Sequence, residues 1–142
     1  MNDINDIISQ VDELIEEHRE GLFRSDETNF WSKNSKLLLL TVICYLIETN
    51  DTWDWQKVHD MVKKEFIWFE RTDEEELPFI VKMNEYSEQM PQSLTAKYYM
   101  ELKRTMQNWI VFIGINVGIM LDYKTHGFDP RENVKRRRKK SK

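Results

Sequence analysis

Between Leu37 and Ile47 the only hydroxyl groups are those of Thr41 and the largely apolar Tyr45, and no side chain is charged. A helix built on such a run has no polar face to offer water, so other elements must bury it on most sides. Phe30-Trp31 opens the run, and Asn50-Asp51-Thr52 closes it with residues that favour turns by bonding their own backbone. A helix over about 30–49 is therefore expected at the centre of the fold, and the rest of the chain must supply its cover.

That cover reads as helical. Ile4, Ile7, Ile8, Val11, Leu14 and Ile15 recur at helical spacing over 3–20, with Asp3 as N-cap, an acidic outer face and Gly21 as the stop. Asp54 caps a helix over about 54–66 whose inward stripe is Val58, Met61, Val62 and Phe66. Another starts near Leu77 with Pro78 in its tolerant first turn, and Pro91 stops it. From Ser93 the pattern Leu94, Tyr98, Leu102, Met106, Trp109 runs into an apolar stretch that ends at Leu121. It predicts one long helix over 93–123, which at about 1.5 Å per residue would span roughly 45 Å. The expected fold is all-α: a compact bundle of about five helices with 30–49 and 93–123 as its two long central members. The core is expected to contain Ile8, Val11, Leu38, Thr41, Val42, Tyr45, Val58, Met61, Ile80, Met83, Tyr98, Leu102, Trp109, Ile113 and Val117.

The formal charge of −4 conceals a division. Residues 131–142 hold eight basic groups against Glu132, a net of +7, which leaves −11 on residues 1–130. The chain is thus expected to divide into a helical domain, 1–128, and a flexible basic tail, 129–142. An acidic body repels phosphate backbones and a basic tail attracts them. Arg131, Lys135, Arg136, Arg137, Arg138, Lys139 and Lys140 are the candidates for contact with nucleic acid or an anionic membrane face, or they simply solvate a terminus. The tail has no aromatic residue for base stacking.

Chemistry is sparse. None of the four glycines precedes Lys-Ser/Thr, so there is no phosphate-cradling loop, and no dinucleotide fingerprint either. His18, His59 and His126 are far apart in sequence, none with a second His four residues on. His59-Asp60 reads as the solvated face of its helix. Glu74-Glu75-Glu76 lacks the apolar setting that would raise a carboxyl pKa for acid catalysis. Cys44 sits inside the apolar run and reads as packing; as the single cysteine it excludes an internal disulfide and fits a reducing compartment. No catalytic residue, metal ligand, cofactor or small-molecule substrate is expected, and residues 1–20 do not have a signal-peptide pattern. Gly114-Ile-Asn-Val-Gly118 would let a second helix approach closely, within an apolar run too short to span a bilayer. Asn116 would then need a buried partner. Trp53 and Trp55, two apart at a helix start, cannot both face one core. With Trp68, Glu74, Glu75 and Glu76 they are the candidate protein-docking residues.

The ordered elements Phe30-Trp31 with Leu37–Ile47, then Tyr98-Tyr99, then the apolar close at 109–121, resemble the all-alpha domain of TraG/TraD-type coupling ATPases of conjugative type IV secretion systems. The chain departs from that pattern at Lys103-Arg104-Thr105-Met106-Gln107-Asn108-Trp109, where the family has small residues and a Gly-Lys-Thr-like stretch. The resemblance implies a substrate-recognition module without chemistry of its own. Its partners would be the relaxase, a relaxosome accessory protein and the ATPase domain of the coupling protein, with DNA on the basic tail. Its location would be cytoplasmic, including the inner face of the cell membrane when part of a secretion complex. The reading from the residues alone that competes with it is a small helical nucleic-acid-binding protein that uses the basic tail.

Overall fold

The computed structural model describes residues 3–22, 28–66, 77–106 and 109–127. These form six helices: α1 Ile4–Leu22, α2 Thr28–Asn50, α3 Trp55–Glu65, α4 Pro78–Gln89, α5 Leu94–Thr105 and α6 Ile110–His126. No strand occurs among the described residues. The all-α class stands, with six helices rather than about five.

α2 is the axis. Leu37 to Cys44 are all buried, including Thr41, whose hydroxyl returns to the Leu37 carbonyl at 2.7 Å and so needs no outside partner. α1, α3, α5 and α6 all pack against α2, and α4 packs on α5 while its side chains also reach α2 and the end of α3. The same helix is long and apolar enough by composition to cross a bilayer, yet most of that stretch is already enclosed by its neighbours. Its C-terminal end also fastens the bundle. Glu48 accepts from the Tyr86 hydroxyl on α4 (2.9 Å), from the Thr95 hydroxyl and from the Leu94 backbone N–H (3.2 Å), so one carboxylate serves α4 and the electropositive start of α5.

Two caps read from the sequence are in place. Asp54 accepts from the Lys57 N–H at 2.8 Å, and Ser93 from the Ala96 N–H at 3.0 Å. Replacing Asp54 by Ala should lower stability by about 1 kcal/mol, the usual worth of an N-cap. Thermal unfolding of the variant checks this, and an unchanged midpoint would show that the capping bond adds nothing. Pro78 occupies the first turn of α4 as expected. Gly21 does not stop α1, which continues through it to Leu22.

The long closing helix does not exist as one piece. α5 ends at Thr105 with Met106 as its C-cap, the Trp109 N–H bonds back to the Met106 carbonyl at 3.0 Å, and α6 starts afresh at Ile110. The break lets the two halves serve different neighbours: α5 packs on α2 and α4, whereas α6 packs on α3, α2 and α1. It also corrects the core. Trp109 stands at the N-cap position of α6, 44% exposed, and Ile110 takes the buried place. Tyr98 is only half-buried; Tyr99 points inward, fully enclosed, with its hydroxyl donating to Asn84 Oδ1 at 2.7 Å. Ile8 and Tyr45 lie at the core margin, half-buried. The remaining expected core residues, from Val11 and Leu38 to Ile113 and Val117, are buried.

Candidate functional site

α3 and α6 meet along a seam that the sequence only half announced. Gly114, Gly118, Asp122 and His126 recur every four residues, so they form one row down α6. Facing them from α3 and its C-cap are Phe66, Lys63 and His59, in the opposite order. At the upper end the Phe66 ring fills the space a side chain at Gly114 would need: a Cβ there would stand 2.4 Å from Cδ1 of the ring. The ring is stacked in turn on Phe79 of α4, centroids 4.8 Å apart. Gly118 is roomier, with Lys63 Nζ 3.6 Å from a Cβ at that position. Gly114 thus admits the Phe66 ring, while Gly118 has only the end of Lys63 beside it, so the pair does not act together to bring the α3 backbone close as its spacing suggested. Asn116 points elsewhere and is half-buried.

The lower end is polar. Asp122 Oδ1 accepts from His59 Nε2 at 2.7 Å, and Oδ2 accepts from Lys63 Nζ at 2.9 Å. Burial opposes the charge on Asp122, but the hydrogen bonds from Lys63 and His59 outweigh it and hold the carboxyl below its ordinary range. His59 has a second carboxylate beside it, with Nδ1 3.4 Å from Asp60 Oδ1. The His126 ring lies 5.1 Å from the His59 ring, centroid to centroid. His59 is therefore not on a solvated face: its side chain is 12% exposed and that of Asp122 14%. Sequence alone places it outward because α3 shows His59-Asp60 beside Lys63 and Lys64. The partner that buries it is 63 residues away.

Among the described residues α6 has a second, uncovered side. As far as Leu121 it is almost wholly apolar, but α2, α3 and α1 cover only part of it. Trp109, Phe112, Ile115 and Tyr123 remain exposed, at 44%, 53%, 52% and 46%. From Trp109 to Leu121 no charged residue interrupts the helix. Trp109 and Phe112 lean on one another with ring centroids 5.4 Å apart, and the Trp109 ring meets Trp31 of α2 at 6.1 Å.

Of the expected docking residues, Trp53 and Trp55 are both half-buried. They pack edge to face at 5.2 Å on the core margin, with Lys124 Nζ 5.9 Å above the Trp55 ring. Trp68, Glu74, Glu75 and Glu76 lie outside the described residues, as does the basic tail from Arg131. Cys44 is packed in the core, where burial first and Glu48 second push its thiol up to about 12. It stays protonated at neutral pH, which removes it from nucleophilic chemistry.

No protein-family model matches the chain, and neither a curated protein nor a solved structure does.

Proposed function

We propose that this chain is a protein-recognition module with no chemistry of its own, of the kind that receives the relaxase and a relaxosome accessory protein for a conjugative coupling ATPase on the cytoplasmic side of the membrane. The observation that carries the docking role is the uncovered face of α6. Contiguous exposed apolar surface rimmed by polar groups marks an interaction site more often than chance exposure does. The exposed Trp109 and Phe112 on it are of the residue types that act as binding anchors. The body around it carries −11, which favours a basic protein surface as the occupant over a phosphate backbone. The order of the helical motifs supports the assignment to conjugative transfer.

The test is titration of the full chain with purified relaxase and accessory protein. Phe112→Ala is expected to weaken binding roughly 30-fold, the effect of losing an anchor worth about 2 kcal/mol. Phe112 is exposed, so the variant should keep the wild-type far-UV spectrum and midpoint. Affinity unchanged in a Phe112→Ala, Ile115→Ala double variant would remove the α6 face from the proposal. The +7 tail supports a competing reading as a nucleic-acid-binding protein. Truncation at Pro130 separates the two. DNA binding with a log–log salt slope near −6, about 0.9 for each of seven phosphates, lost on truncation while no protein partner binds, would replace the recognition module.

A further inference from the structure

The lower end of the α3–α6 seam gathers a ligand set that no stretch of sequence contains. Asp122 and His126 stand four residues apart on α6, so their side chains share a face, and His59 approaches the same face from α3. One donor atom from each of the three lies within 4.8 Å of the other two. We propose that His59, Asp122 and His126 form a binding site for one divalent ion of the zinc class, closing the α3–α6 seam at its lower end.

The donor chemistry selects the ion. Two imidazole nitrogens and one carboxylate oxygen make a mixed nitrogen–oxygen set that suits zinc and its first-row neighbours, not calcium or magnesium, which prefer oxygen alone. Three protein ligands leave the fourth position of a tetrahedron to water. Ligands about 2.0–2.1 Å from zinc stand roughly 3.3 Å apart at tetrahedral angles. The widest separation therefore has to close by about 1.5 Å, within reach of side-chain rotation, and His126 is an exposed side chain.

The surrounding hydrogen bonds already orient two of the ligands as an outer shell would. Thr125 Oγ1 gives its one hydrogen to the Leu121 carbonyl at 2.7 Å. At His126 Nδ1, also 2.7 Å away, that oxygen can only accept, so Nδ1 carries the proton and Nε2 presents the lone pair. On α3, Asp60 Oδ1 stands 3.4 Å from His59 Nδ1, on the side of the ring away from Asp122. Binding replaces the proton on His59 Nε2. In the neutral imidazole that proton relocates to Nδ1, where the Asp60 carboxylate accepts it, so the step balances without a further reactant. Asp122 binds through Oδ1 and keeps Oδ2 on the Lys63 ammonium. The cation beside the site thus holds the carboxylate in place and is not itself displaced.

A hydrogen-bonded tie between α3 and α6 would show the same His59–Asp122 bond and no appetite for metal, and titration with zinc alone distinguishes the two. The full-length chain, freed of metal by a chelator, is expected to take up one equivalent of zinc. Cobalt in its place should give the visible absorption of a low-coordinate nitrogen–oxygen site. His126→Ala should abolish both; since His126 is exposed, that variant should fold as the wild type does. His59→Gln should abolish both as well. Asp60→Asn should weaken uptake about 10- to 100-fold, the usual loss of an outer-shell partner. Zinc should raise the thermal midpoint of the wild type and leave that of His126→Ala where it is. No stoichiometric uptake, or uptake with the same affinity in His126→Ala, would overturn the proposal.

Discussion

Leu38→Ala and Ile113→Ala are each expected to destabilise the protein by about 2–5 kcal/mol, the range for deleting three carbons from a packed site. Both side chains have no solvent exposure. Leu38 belongs to α2, the helix against which α1, α3, α5 and α6 all pack, and lies within the core cluster. Ile113 lies on the covered side of α6, one turn from Ile110 and Val117, which are equally enclosed. A net stability of roughly 5–15 kcal/mol is typical of a domain this size, so either change removes a large share of it. Urea unfolding followed by far-UV circular dichroism measures the loss as a shift in midpoint at constant slope. Val81→Ala is the internal standard: at 43% exposure it should stay within about 0.5 kcal/mol of wild type. Losses below that figure at both Leu38 and Ile113 would mean that α2 and α6 are not packed as described.

The α2 helix was legible because its run of apolar residues leaves only one physical solution. Asp54, Pro78 and Ser93 were legible because caps and first-turn prolines act locally. The break between α5 and α6 was not, and the reason is visible in the pattern. Tyr99, Leu102, Met106, Ile110, Ile113, Val117 and Leu121 keep helical spacing straight across it, so periodicity sees one helix. The interruption answers a demand made elsewhere: α5 must reach α2 and α4, α6 must reach α3 and α1. Only Gln107-Asn108 hinted at it, and those residues carry a weak turn preference. The misplacement of Trp109 has another cause: Trp109 and Ile110 both keep helical spacing with Met106 and Ile113, and periodicity cannot choose between two adjacent apolar residues. The polar cluster failed to show for a different reason. Asp122 and His126 have the spacing of a shared helix face, but their partner His59 comes from α3, and no local pattern records a contact across 63 residues. A search for His paired with Asp or Glu, as well as with His, at four-residue spacing would have singled out Asp122 and His126.

Gly114 and Gly118 were equivalent in the sequence, and the structure makes them opposite. Gly114→Val should cost about 3 kcal/mol, the upper part of the range for overpacking. Its Cβ alone would stand 2.4 Å from Cδ1, 2.7 Å from Cε1 and 3.0 Å from Cγ of Phe66, so the whole ring must shift and not merely its tip. The ring cannot retreat easily, because Phe79, fully buried, is stacked against it. Gly118→Ala meets only the end of Lys63, at 3.6 Å from Nζ and 3.9 Å from Cε. There the ordinary helical advantage of alanine over glycine should prevail, and stability should rise by about 0.5–1 kcal/mol. Phe66→Ala destabilises by itself through the lost stacking, but it removes the obstacle. In that background Gly114→Val should cost less than about 1 kcal/mol, a coupling near 2 kcal/mol, within the span measured for residues in contact. Equal costs in the two backgrounds would place the strain of Gly114→Val somewhere other than Phe66. Destabilisation by Gly118→Ala would mean that the end of Lys63 cannot yield the space beside Gly118. The difference in sign between two glycines one turn apart is the measurable consequence of a wedged aromatic ring beside the first and only the flexible end of a lysine beside the second.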